Sequence, residues 1–82
     1  MNRFIQFNVS RDDGTYTAEG VNVPVVTQAE SFQELEENIR EALTLLFEGE
    51  DLSMFGLSPS PTVLTSFELP LELPAIEYGG KA

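Results

Sequence analysis

Covalent or acid–base catalysis near neutral pH needs a side chain that attacks or exchanges protons there, and the usual ones are missing: the chain has no histidine and no cysteine. Ser58 and Ser60, in "SPSP", have no base to activate them. The "YGGK" near the C-terminus lacks the preceding strand, the spacing and the following helix of a phosphate-binding loop. Asp12, Asp13 and Glu19 could offer oxygen ligands to Mg²⁺, but acids at a hairpin turn serve more often as turn formers. The sequence is therefore expected to carry no catalytic residues, no metal and no cofactor. Its chemistry is expected to be that of binding.

The feature that could bind is charge. "SFQELEENIREALTLLFEGE" carries Glu34, Glu36, Glu37, Glu41, Glu48 and Glu50 against the single Arg40. Within it Phe32, Leu35, Ile39, Ala42, Leu43 and Leu46 recur at the spacing of one helical face. Ser31 with Glu34 three places on fits a capping box, and Gly49 stands where a left-handed C-terminal cap falls. Turning about 100° per residue puts Glu34, Glu37, Glu41 and Glu48 opposite the apolar stripe, with Leu45 beside them. Glu36 and Arg40 flank the stripe as an i,i+4 pair. That acidic face has two readings: a solvated surface with one stray leucine, or a patch for a basic partner.

The elements that must position this helix flank it. "RFIQFNVS" alternates with Ile5, Phe7 and Val9 on one side, and "TYTAEGV" with Tyr16 and Ala18; Asp13-Gly14 between them predicts a tight hairpin turn. After Pro24, "VVTQA" has the β-branched composition of a short third strand. "EDLSMFGLSPSP" reads as a loop bearing Leu52, Met54, Phe55 and Leu57. "TVLTSFELPLEL" then alternates again, with Val63, Thr65, Phe67, Leu69, Leu71 and Leu73 in register, and Pro70 places this fourth strand at a sheet edge or ends it near Leu69. The order β-β-β-α-β predicts an α+β two-layer domain, one helix on a mainly antiparallel sheet, over residues 1–73, with residues 74–82 a tail. Phe4 and Leu64, out of register with the core stripes, predict a mixed opposite face that packs in a dimer.

Composition narrows the partners. A net charge of −10, with Arg3, Arg11, Arg40 and Lys81 scattered, argues against direct contact with nucleic acid or anionic membrane and favours a basic protein. No apolar run has the length of a signal peptide or a membrane span, so a cytoplasmic protein is expected. With 82 residues and no disulfides, help from oligomerisation is expected as well.

The hairpin "DDGTYTAEGVNVP", the strand "VVTQAES" and the helix "FQELEENIREAL" together resemble the N-terminal domain of HicB-type antitoxins. The likeness runs from about Phe4 to Leu46 and rests on Gly14, Tyr16, Ala18, Glu19, Pro24, Thr27, Gln28, Glu34, Glu37, Asn38, Glu41 and Ala42. Two departures stand out: Pro24 leads straight into Val25-Val26 where the family carries Pro-Gly and a small residue, and Ala29 stands where a glycine is frequent. The bend is expected to differ accordingly. The resemblance implies a partial ribonuclease-H-like fold without catalytic carboxylates, a homodimer or tetramer, and a HicA-type toxin as partner, a small basic RNA-cleaving protein. The residues after the fourth strand are too few for the DNA-binding module of many members, so operator binding is not expected. Partner contacts are expected from Glu34, Glu37, Glu41, Leu45 and Glu48, with Phe55 in the following loop. The alternative is an orphan HicB-like homo-oligomer with no toxin, its acidic helix merely keeping it in solution.

Overall fold

Alternation and turn chemistry act locally, and the computed structural model, which describes residues 2–69 and 71, bears out most of what they predict. Strand β1 (Asn2–Asp12) turns through Asp13-Gly14 into β2 (Thr15–Gly20). Both turn residues are left-handed, at φ 54° and 82°, the geometry of a two-residue type I′ hairpin that matches strand twist. β3 (Val26–Ala29) leads to helix α1 (Phe32–Phe47), and a 3-10 turn at Leu52–Phe55 precedes β4 (Leu57–Phe67). The sheet order is β3-β2-β1-β4; β1 pairs antiparallel with β2, β2 antiparallel with β3, and β1 parallel with β4. The result is the expected β-β-β-α-β two-layer α+β domain, with a mixed sheet.

The core follows the predicted stripes. Ile5, Phe7 and Val9 from β1, Ala18 from β2 and Leu35, Ile39 and Leu43 from α1 are buried against one another. The helix packs over β3 and β2, with β1 beneath its inner edge. Phe32, assigned to the buried stripe, is half exposed; its ring instead meets Tyr16 and Phe67, with all three centroid separations at 6.0 Å. These contacts join the start of α1, the start of β2 and the end of β4.

The helix ends are built much as expected. Ser31 Oγ accepts a hydrogen bond from the Glu34 amide at 3.0 Å, and Gly49 is left-handed at φ 74°. The return bond differs by one residue, since Glu34 Oε1 accepts from the amide of Glu30 at 3.1 Å rather than from that of Ser31. Glu34 thereby belongs to the helix start.

Three readings need correction. The region assigned to a loop already belongs to β4 from Leu57, because Pro59 and Pro61 are tolerated on an edge strand. Leu57, placed among unexplained loop residues, is only 1% exposed and is part of the core. β4 ends at Phe67, leaving Leu69 and Leu71 exposed; Leu73 and the tail 74–82 lie outside the described residues.

The bend after β2 is organised by Gly20 and Asn22. A Cβ on Gly20 would strike the carbonyl oxygen of Val23, so only glycine lets the chain double back there. Asn22 then pairs with β1 through its side chain: Oδ1 accepts from the Gln6 amide at 2.9 Å and Nδ2 donates to the Phe4 carbonyl at 3.0 Å. One carboxamide thus continues the ladder beyond the last residue of β2.

Candidate partner surface

The face of α1 turned away from the sheet is set by the burial of Leu35, Ile39 and Leu43 on the other. Glu34, Glu37, Glu41 and Glu48 are all exposed there, and Leu45 among them is 67% exposed. The structure therefore brings together five of the six expected contact residues. Phe55 is not with them. It sits past the helix end with its ring edge-on to Phe47, centroids 5.0 Å apart, and Phe47 is roughly 100° around the helix from the acidic face.

The local electrostatics of α1 are asymmetric. Glu34 in the first turn sits favourably near the positive end of the helix dipole, but no basic residue occupies the last turn and Glu48 is the C-cap itself. Among the described residues the one ion pair is Glu36–Arg40, at 3.7 Å and well exposed, and such pairs contribute little. Among the described residues Glu37, Glu41 and Glu48 form no ion pair, although Arg40 lies within a turn of the first two and turns to Glu36. The other described cations are occupied elsewhere, Arg3 over the ring of Phe4 at 5.1 Å and Arg11 over Tyr16 at 5.6 Å.

Sequence reasoning missed a second surface. Because α1 lies over β2 and β3, no described residue covers the helix side of β4, and a groove of about 600 Å³ runs between them. Its floor is Ile5, Val63 and Thr65; Phe32 and Phe47 line it from the helix, and Leu52 and Pro61 from the segments before and within β4. Val63 and Phe67 are 41% and 45% exposed along this side. The signal for it in the sequence was the apolar register of β4, read there as core.

The opposite sheet face is mixed, as expected. Gln6, Asn8, Thr17, Glu19, Gln28 and Ser66 alternate with the stripe residues, and Phe4, Val26 and Leu64 interrupt them. Asp12, Asp13 and Glu19 do not converge: the first two flank the hairpin tip, while Glu19 lies four residues further along β2 than Thr15, about 13 Å away. Among the described residues no group of three acidic, histidine or cysteine side chains is placed to hold a metal, and no helix is long and apolar enough to cross a membrane. Comparison of the chain with family models, curated proteins and solved structures gives no match.

Proposed function

We propose that the protein is a HicB-like, homodimeric cytoplasmic module whose acidic helix face binds and neutralises a small basic RNA-cleaving protein of HicA type. The observation that carries this reading is the row Glu37, Glu41 and Glu48 beside exposed Leu45, none of the three in an ion pair among the described residues. An RNA-cleaving protein is basic where it holds phosphate, and a rigid line of carboxylates offers the same charge in the same extended form. Leu45 adds an apolar contact beside that line, from which docking would exclude water. Glu48 supports the reading further, because it lies where helix electrostatics disfavour it.

The test is the double charge reversal Glu37→Lys and Glu41→Lys, which leaves helix propensity nearly unchanged. Glu34 is spared because it caps the helix. The reading predicts that the adjacent reading frame encodes a small basic polypeptide; with that polypeptide as partner, association should slow by about 10-fold or more and lose most of its salt dependence. Neutralisation of that polypeptide with unchanged kinetics would sink the proposal. The second reading, a homo-oligomer without a toxin, is favoured by the uncovered groove beside β4, and predicts that the same double variant is silent in every binding assay.

A further inference from the structure

We infer that β4 is the self-association edge of the protein and pairs antiparallel with β4 of a second copy, centred on Thr65. This rests on the homodimer in the function proposed above and assigns its surface; it does not depend on the toxin. Among the described residues the sheet has two edges, β3 and β4, and they are unlike. β3 is four residues long, with Pro24 shortly before it and Glu30 directly after. β4 is eleven residues long, and no charged residue lies between Asp51 and Glu68. Exposed edges are normally blunted by charge, by proline or by shortness, and the half from Thr62 to Phe67 has none of these. In a chain of net charge −10, a second copy meets least repulsion there.

The backbone defines the register. The Glu68 amide donates to the Val9 carbonyl at 2.7 Å, so Glu68 faces β1, and by alternation so do Ser66, Leu64 and Thr62. The amides and carbonyls of Val63, Thr65 and Phe67 therefore point outward. Pro61 shares that orientation and has no proton to give, which limits free pairing to these three. Only a pairing centred on Thr65 uses all of them: Thr65 opposes Thr65 of the second copy, and Val63 opposes Phe67 in both directions. A centre on Leu64 would set Phe67 against Pro61 and lose a bond.

Side chains agree with this register. Val63 and Phe67, the half-exposed apolar residues on the helix side of β4, become cross-strand neighbours. The two-fold axis runs perpendicular to the sheet, so both helices lie on one face and the two grooves join. The two Glu68 side chains end about 20 Å apart, beyond the screening length in physiological salt.

The experiment uses the absence of cysteine from the chain. In a hydrogen-bonded antiparallel pair the opposed Cα atoms are about 5.5 Å apart, within disulfide range, so Thr65→Cys should oxidise to a covalent dimer much faster than Ser53→Cys, exposed elsewhere. Thr65→Pro removes an outward donor twice per dimer without touching the β1 ladder, and should raise the dimer Kd on the order of thirtyfold by sedimentation equilibrium. If Thr65→Pro loses its far-UV dichroism, the cross-linking rates decide alone. A single-chain mass for the wild type across the micromolar range would overturn both the homodimer and this surface. A two-chain mass with Thr65→Cys no faster than Ser53→Cys would overturn the surface and leave the homodimer standing.

Discussion

Reversing the charge at the C-cap of α1 should stabilise the protein. Glu48 is the C-cap, so its negative charge belongs to the negative end of the helix dipole, and no basic residue of the last turn offsets it. A favourably placed charge at a helix end contributes about 0.3–1 kcal/mol, and Glu48→Lys both removes a repulsion and adds an attraction. Exposure and physiological salt hold the sum to roughly 0.6–1 kcal/mol. For a domain this small, 1 kcal/mol moves Tm by about 4–8 °C, so the melting temperature should rise roughly 2–8 °C at fixed protein concentration. Glu48→Gln, which only removes the repulsion, should give about half the increase. In about 1 M salt, where screening acts over about 3 Å, most of the gain should vanish. A lysine variant no more stable than the glutamine variant, or a gain that survives high salt, would refute the electrostatic reasoning. The net charge changes from −10 to −8, too little for general self-repulsion to account for the effect.

Gly20→Ala should destabilise the fold by about 1–3 kcal/mol, the range for forcing atoms into a filled space, because its new methyl meets the Val23 carbonyl and Val23 Cγ2 at 2.8 Å; urea unfolding should show a lower midpoint with unchanged slope. The 3-10 turn should loosen in acid. The Ser53 amide, and then its hydroxyl, donate to Asp51 Oδ1 at 3.0 and 2.9 Å and hold that carboxyl below the ordinary aspartate range. A depressed folded value means that the contribution is complete above the unfolded value, about 3.9, and is lost as pH falls through the folded one. The Ser53 amide resonance should therefore keep its hydrogen-bonded position below pH 3.9 and move only in stronger acid; a midpoint at or above the ordinary value would contradict the hydrogen bonds.

Where neighbouring residues decide the structure, it was legible. Asp13-Gly14 marked the hairpin, alternation marked the buried faces of β1 and β2, and the 3.6-residue period placed Glu37, Glu41, Leu45 and Glu48 on one side of α1 before any coordinates. What could not be read depends on distant partners. The segment with Pro59 and Pro61 reads as a loop by composition, and only the place of β4 at the end of the described sheet, beside β1, lets it be a strand. Leu57 is in the core because β4 starts early enough to bring it there. The groove exists because α1 lies over β2 and β3, a choice that helical periodicity leaves open.

The parallel pairing of β1 with β4 also governs the order in which the fold can assemble. Ile5 meets Val63, so the two strands are separated by most of the chain, whereas β1, β2, β3 and α1 all lie between Asn2 and Phe47. Until β4 has left the ribosome, β1 is itself an edge, with the carbonyl that Val9 later offers to Glu68 open to any passing strand. Loop closure over such a span is slow compared with closing the hairpin. The residues of α1 precede β4 in the chain, so its glutamates give each unfinished copy a like charge, which opposes contact between chains whose sheets still lack β4.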